Sequence, residues 1–478
     1  MNPSTTNRVT AQDFYDYDKC PHRVYLNRFG DSNEKLPQSN FLNLLFEDAL
    51  LHEKDTVADL AYVTPDGETL EDRASSTLEL MRKGVERIYQ GVLLEVGGSG
   101  IPDLLEKVNG NSKLGTYFYK PVDIKSGSGY ESEERGVLRS DYGMQLYHYG
   151  LLLETTQGIL PPEAEILNKR KERVLYPLSD FKPAYDTTLP EIRALVTGVK
   201  TDEPASCSYC GQCQWWAHCE KELVAADDIT LLPDVGRSKK LALNGVGLRS
   251  IGQIPTFDFS RFKLKGIGPR TVESMKRAAI SVLSKKLQIL GKASLPSPPC
   301  KVYLDFEDDP TQDLIYLCGM WAEPPVIGLN YHGLFCTDAT GEEKMWADFQ
   351  TFCARIASDD YVVFHYSAYE NTKINTLERK YGVSERGALA AFRSRMVDLY
   401  PIVKRTVVLP TRNYGLKSIA KFLGLQYSAQ DAGGAQSIVW FQEYQRDPLK
   451  SGVLETLLTY NKEDCLVMKE VEGWLRIL

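Results

Sequence analysis

Two rhythms of apolar and polar residues run through this chain. Around Phe41-Leu-Asn-Leu-Leu-Phe-Glu-Asp-Ala-Leu-Leu-His52 the apolar positions 41, 42, 45, 46, 49 and 50 follow helical spacing, which predicts a helix packed along that side with His52 near it. A second helical run opens at Met144-Gln145-Leu-Tyr-His-Tyr149, where Gln145 and Tyr149, four apart, share a face. Strand-like runs cover 100–108 and 117–125; the second ends in Asp123-Ile-Lys125, and a period of two points that acid and that lysine the same way. Further on, Lys301-Val-Tyr-Leu-Asp305-Phe-Glu307 alternates Val302, Leu304 and Phe306 against Asp305 and Glu307, and Leu314–Trp321 follows at hairpin distance. Tyr361–His365 reads as a strand running into a helix that carries Glu370, and a late helix holds Tyr460 and Asp464 one turn apart.

Length and charge add organisation to that pattern. A chain of 478 residues exceeds one hydrophobic core and predicts about three domains. With 43% hydrophobic and 25% charged residues it has an ordinary globular composition, no apolar run of bilayer length and no apolar leader at its start, so a cytoplasmic protein without a membrane partner is expected. The net charge of −8 hides a segregation: residues 235–292 hold 13 Lys and Arg against Asp258 and Glu273, a local +11 that leaves −19 for the rest. A basic segment of that kind is a candidate nucleic-acid footprint. The stretch 291–300 is proline-rich and without period, and reads as a semi-rigid linker.

Three constellations carry chemistry. Cys207-Ser-Tyr-Cys210-Gly-Gln-Cys213-Gln-Trp-Trp-Ala-His-Cys219 places four of ten cysteines in thirteen residues, and thiolates at such intervals converge on a metal or cluster, zinc and iron–sulfur being equally natural partners. Asp103, Asp123 and Lys125 make an acid pair with a lysine, the set that metal-assisted phosphodiester cleavage uses: the acids hold Mg²⁺ or Mn²⁺, and the lysine positions or activates water. Asp305 and Glu307 on one strand face repel unless a cation binds between them. In the basic segment, Leu243-Asn-Gly245-Val-Gly247 and Leu264-Lys-Gly266-Ile-Gly268 repeat 21 residues apart, each predicting helix, tight turn, helix. Free N–H groups there, with Lys263, Lys265, Arg270, Lys276 and Arg277, suit a phosphate.

These residues resemble known families over nearly the whole chain. Pro102-Asp103, Asp123-Ile-Lys125 and Gln145-x-x-x-Tyr149, preceded by His52, are similar to RecB-like PD-(D/E)xK nucleases, with Asp123 where glutamate is more frequent. Some of those, CRISPR-associated RecB-like exonucleases among them, carry a [4Fe-4S] cluster held by one early and three late cysteines; the resemblance assigns Cys20, Cys210, Cys213 and Cys219 to it and leaves Cys207 surplus. The two glycine passages resemble tandem helix-hairpin-helix motifs. The order Asp305-x-Glu307, Glu370, Tyr460-x-x-x-Asp464 is similar to DEDDy exonucleases of the RNase H-like fold, with Glu370 where aspartate is usual and Asp398 as a spare carboxylate. The resemblances imply an α/β chain made of a PD-(D/E)xK domain (1–225) with an Fe–S cluster, a helix-hairpin-helix domain (226–292), a linker (293–300) and an RNase H-like domain (301–478). They further imply that His52, Asp103, Asp123, Asp305, Glu307, Glu370 and Asp464 bind Mg²⁺ or Mn²⁺, with Lys125, Gln145, Tyr149 and Tyr460 catalytic. The expected activity is a metal-dependent DNA exonuclease, also open to RNA and to a superfamily 1 helicase partner. The alternative is a nucleic-acid-binding scaffold with inactive sites.

Overall fold

The computed structural model describes residues 7–133, 135–429 and 433–478 and is mixed α/β throughout. It divides into two compact units, residues 1–222 and 223–478. Among the described residues no helix is long and apolar enough to cross a membrane.

The first unit begins with α1 (Ala11–Lys19) and α2 (Pro21–Phe29). Thr10 and Asp13 cap α1 reciprocally, and Pro21 starts α2 where its missing N–H costs nothing. The single extended residue between the two helices is Cys20, so its side chain is set by a fixed corner. After α3 (Asn40–Val57) come β1 (Arg87–Tyr89), β2 (Leu104–Ser112), β3 (Gly115–Ile124), α4 (Ser140–Gln157), β4 (Glu163–Leu167) and β5 (Arg173–Pro177). The sheet order is β5-β4-β3-β2-β1, antiparallel except for β3 beside β4, which α4 connects. A parallel pair needs such a crossover, and it leaves α4 covered on several sides: Met144 through Gly150, Leu152 and Leu153 are all buried. Leu146, Tyr147 and Tyr149 join Phe14, Val24, Ala164, Ile166 and Tyr176 in the main core.

The expected packed side of α3 is not what the structure shows. Phe46 and Leu50 are exposed, and the helix buries Leu44, Thr56 and Val57, the last against Leu104, Val122 and Leu167. Periodicity found the helix, but only Leu44 and its last turn are fully buried, while Phe41, Leu42, Leu45 and Ala49 are half-buried and Phe46 and Leu50 stay outside.

The second unit opens with α5 (Arg237–Asn244) and α6 (Pro269–Ser284). Both glycine passages form tight turns, with Gly247 and Gly266 at φ +83° and +73°, a region that disfavours any side chain. Helix, turn, helix is only half realised in each: a six-residue 3₁₀ segment, Ile251–Thr256, follows the first turn, and a three-residue one, Phe259–Arg261, precedes the second. Pro255 and the short Asp258 turn cut these elements off before a full helix forms. Leu243, Leu248, Ile251, Ile254, Ile267 and Met275 nevertheless close one core, which Val408 also enters.

Residues 291–299 have no regular structure, but Ala293 and Leu295 pack on the following core and Arg476 donates to the carbonyls of Leu295 and Pro296. Then come β6 (Cys300–Asp309), β7 (Leu314–Val326), β8 (Leu329–Phe335), β9 (Tyr361–His365), α7 (Tyr369–Tyr381), β10 (Met396–Asp398), α8 (Leu399–Thr406), α9 (Leu416–Phe422) and α10 (Val453–Ile477). The sheet order is β8-β7-β6-β9-β10, with β6, β7 and β8 antiparallel and β6, β9 and β10 parallel. The long α10 lies on this sheet through Leu457, Cys465, Met468 and Val471.

Candidate functional site

In the first unit the sheet brings Asp103, just before β2, opposite Asp123, near the end of β3. The Asp103 N–H points at Asp123 Oδ1 (3.3 Å), and the Ile124 N–H donates to Asp103 Oδ2 at 2.6 Å. Lys125 Nζ pairs with Asp123 Oδ2 at 2.9 Å. Burial, then the Asp123 charge, pushes the Asp103 carboxyl up to about 8. Burial alone would lower the Lys125 ammonium, but Asp123 and Asp103 outweigh it and hold it above the usual lysine value. Tyr149 reaches the same place from α4: burial and then Asp123 and Asp103 raise its phenol, and its hydroxyl lies 3.5 Å from the Ile101 carbonyl. Gln145 is buried one turn earlier on the same helix.

His52 is elsewhere. Burial lowers its pKa, followed by Lys169, and its other strong neighbours are Asn168, Lys171 and Asp48 rather than the acid pair. The next residue in α3 takes the place expected for it. Glu53 acts on Asp103, and accepts from Tyr89 Oη at 2.7 Å and from Gln90 Nε2 at 3.2 Å. Helical spacing placed His52 near the packed side, and a rotation of one position brings Glu53 to the acids instead.

The cysteines meet across a long separation. Cys20, at the α1–α2 corner, and Cys207, Cys210, Cys213 and Cys219 all line one small cavity with Leu26, Ala205, Trp215 and Trp216. Cys207 therefore shares the cavity, its Sγ 3.7 Å from Cys210 Sγ and its N–H 3.3 Å from the same sulfur. Burial pushes Cys219 up to about 12 and raises Cys213; Cys210 is raised by its contact with Cys207 and by burial. Thiols so placed ionise when a metal takes the proton's position.

In the basic segment Lys263, Lys265 and Arg270 are exposed and, among the described residues, carry no ion pair, while Lys276 lies over the Phe259 ring at 5.5 Å. Arg277 pairs with Glu273, and Lys240, buried, pairs with Asp228 at 2.6 Å, so part of the local charge is spent inside the fold. Gly245, Gly247, Gly266 and Gly268 stand at the two turns, and a Cβ at the last three would meet only open space.

In the second unit β6 and α10 build an acid centre. Asp305, Glu307 and Asp464 offer carboxylate oxygens that all lie within 4.8 Å of one another, a spacing that no other group of three or more acids, histidines or cysteines reaches among the described residues. Burial raises all three carboxyls; it pushes Glu307 up to about 8, with Asp464 adding to it, and lifts Asp305 well above the usual range with help from Asp464, Glu307 and Glu370. Asn461, one helical turn from Asp305's partner Asp464, donates to Asp305 Oδ2 at 2.7 Å and accepts from Tyr331 Oη at 2.8 Å. It can do so because Gly319 stands opposite Asp305 on β7: a Cβ there would sit 1.5 Å from Asn461 Oδ1. Residues 302–476 match the RNase_H_2 model of the RNase_H superfamily. This part of the chain is an RNase H-like domain. No curated protein matches the chain.

Nucleases dependent on divalent metals are common in the RNase H-like fold, and the three gathered carboxylates suit a divalent ion: they are hard oxygen donors facing a cleft of about 680 Å³. Glu370 lines the same cleft from the first turn of α7, yet its carboxylate faces His365 Nδ1 at 3.3 Å and stands outside the trio. Asp398 Oδ1 accepts from the Ser367 and Tyr400 N–H groups, so it caps α8 and pins the turn that carries Glu370. Tyr460 lines the cleft, and Lys417 Nζ donates to its hydroxyl at 3.0 Å. Lys417 had no signal in the pattern of the chain, although among the described residues it is the one cation in the cleft lining; burial lowers its pKa against the pull of Asp464, Glu307 and Asp305. Tyr427, equally silent in sequence, donates to Asp464 Oδ1 at 2.5 Å.

Proposed function

We propose that this chain is a metal-dependent nuclease with two phosphodiesterase centres, acting on single-stranded or end-bearing DNA. One observation carries the reading: each unit buries facing carboxylates beside one lysine and one tyrosine, Asp103, Asp123, Lys125 and Tyr149 in the first, Asp305, Glu307, Asp464, Lys417 and Tyr460 in the second. Acids that raise one another's pKa need a cation to be ionised together. Asp103 and Asp123, with Glu53 beside them, would hold Mg²⁺ or Mn²⁺ in the first centre, and Asp305, Glu307 and Asp464 in the second. A divalent ion held there supplies charge neutralisation and Lewis-acid polarisation of a phosphoryl oxygen.

The residues around it do the rest. Lys125 stays charged and places its ammonium against the phosphate, with the Tyr149 phenol beside the two acids. Tyr460 accepts from Lys417 and hydrogen-bonds to Asp464, which leaves an acceptor lone pair of its phenol to orient a water. In-line attack then needs a strand end laid in the cleft.

The mixed sheet of the first unit, with both acids where antiparallel β2 and β3 meet parallel β4, supports the RecB-like PD-(D/E)xK assignment. Five thiols from both ends of the unit around one cavity support a metal or cluster there, and the one-early, three-late arrangement supports a [4Fe-4S] cluster with Cys20, Cys210, Cys213 and Cys219 as ligands. The exposed cations and glycine turns before α6 support helix-hairpin-helix DNA binding. A scaffold serving a superfamily 1 helicase is the second reading, and the engagement of Glu370 by His365 favours it for the C-terminal centre.

The test is digestion of end-labelled DNA and RNA by anaerobically purified protein in Mg²⁺ or Mn²⁺. Cleavage by the natural chain, reduced by Lys125→Ala and by Asp305→Ala and absent from the double variant, is expected. A double variant that digests as the natural chain does would refute both centres.

A further inference from the structure

The basic segment and the RNase H-like domain lie in one unit, and what joins them ends at the acid centre. Gln288–Ile289 pairs antiparallel with Val407–Val408, Ser281 Oγ donates to the Val408 carbonyl at 3.2 Å, and Val408 enters the core closed by α5 and α6. Between α6 and α8 lies an open cavity of about 190 Å³. Its charged lining is Arg270, Arg277 and Lys404 with Asp234 and Glu273.

This cavity adjoins the acid cleft. Tyr400 lines the cleft and Lys404, one turn later on α8, lines the cavity; Tyr414 lines the cavity while its neighbours Asn413 and Gly415 line the cleft. Lys404 Nζ bridges the two, 5.4 Å from the Tyr400 ring centre and 5.7 Å from that of Tyr414. One helical turn is about 5.4 Å, a distance a strand crosses in roughly one to two nucleotides.

We infer that the cavity holds backbone phosphates of the same nucleic-acid strand whose end lies in the Asp305 cleft, so that the basic segment serves the C-terminal centre. This rests on the reading of that centre as a phosphodiesterase. Guanidinium forks match phosphate oxygens in pairs, which favours a phosphodiester over an acidic peptide. Arg270, exposed and without an ion pair among the described residues, makes the first contact, whereas Arg277 and Lys404 exchange Glu273 and Asp234 for phosphate. The ligand is a single strand, because the way onward is lined with tyrosine faces, Tyr400 and the exposed Tyr369, on which unpaired bases stack.

Binding in the full chain tests this without relying on cleavage. In an Asp305→Asn, Lys125→Ala background, labelled single-stranded DNA long enough to span cavity and cleft is titrated by anisotropy over a salt series. Each phosphate contact on a single strand contributes about −0.7 to the slope of log K against log salt, so Arg270→Ala should flatten it by about 0.7 and Arg270→Ala with Lys404→Ala by about 1.4. Lys344→Ala, an exposed cation on the helix Ala339–Ile356, should change nothing. Unchanged slopes, an equal loss in the Lys344 control, absence of salt-dependent binding, or equal competition by polyglutamate overturns the proposal. Slopes that flatten in a protein whose natural form cleaves nothing would uphold the phosphate track and refute the catalytic reading; cleavage with unmoved slopes would do the reverse.

Discussion

Gly319→Ala puts a methyl 1.5 Å from Asn461 Oδ1, closer than any pair of non-bonded atoms tolerates, and the methyl is fixed to a strand in the middle of the sheet. Asn461, fully buried, must therefore swing away. That breaks its bond to Asp305 Oδ2 and the one it accepts from Tyr331, leaving buried groups unpaired at about 1–3 kcal/mol each, with about 1–3 kcal/mol more for overpacking. A destabilisation of about 3–5 kcal/mol is expected, since the costs overlap where one movement relieves both. Once Asn461 is alanine the methyl has room, so Gly319→Ala in that background should cost less than about 1 kcal/mol, a coupling of about 2–4 kcal/mol. Urea unfolding followed by tryptophan fluorescence reads this well, because four of the six tryptophans lie within residues 302–476. Additive costs in the double variant would refute the account of how Asp305 is held.

Other consequences are more local. Lys417→Met removes the cation that donates to Tyr460 and faces three carboxylates; C-terminal cleavage should fall by about 100-fold, the usual scale for one positioned charge, with the N-terminal centre unaffected in the same end-label assay. His148 is buried between Tyr185 Oη and the Ser99 carbonyl, and burial lowers it to about 4 from its ordinary 6.5. The unfolded chain therefore takes the proton first, so the stability is present above 6.5 and lost as pH falls towards 4, by about 3 kcal/mol, and urea midpoints of His148→Gln should show a correspondingly weaker acid dependence. Cys20→Ser should bleach the brown absorbance expected of the cluster while Cys207→Ser keeps it; the opposite pattern would make Cys207, which shares the cavity, the fourth ligand.

Much of the candidate chemistry was legible because it lies on regular elements. Asp305 and Glu307 alternate with apolar residues on β6, Tyr460 and Asp464 are one turn apart on α10, and Asp123 lies near the end of β3 with Lys125 just past it, so each pair declares its shared face by spacing alone. Choices between adjacent residues were not. His52 and Glu53 differ by one step of helix rotation, and the seat of α3 turned Glu53 towards Asp103 while exposing Phe46 and Leu50. Lys417 on α9 and Tyr427 in the loop after it reach the acid cleft because of where that helix packs, which no local period encodes, while Asn461 shares α10 with Asp464 and only the neighbouring strand shows that it holds Asp305. In each glycine passage one of the two helices is replaced by a short 3₁₀ segment, and in the first passage the reason was visible in principle, since Pro255 lies in the segment after the turn.

The cysteines show where the division falls. By itself the sequence determined that Cys210, Cys213 and Cys219 are neighbours, since their spacing is short enough for turns to gather them, and that a strand face with two acids calls for a cation. Only the tertiary structure decided that Cys20 joins the three and that Cys207 shares their cavity, because the corner between α1 and α2 is brought to the end of the unit by packing around α4. The same holds for the acids. Asp464 meets Asp305 and Glu307 only because α10 lies across β6, and that meeting depends on a glycine in a neighbouring strand leaving room for one asparagine. Local spacing fixes which side chains face together within an element; which elements face each other is settled by the burial of their apolar surfaces, which no short stretch of chain contains.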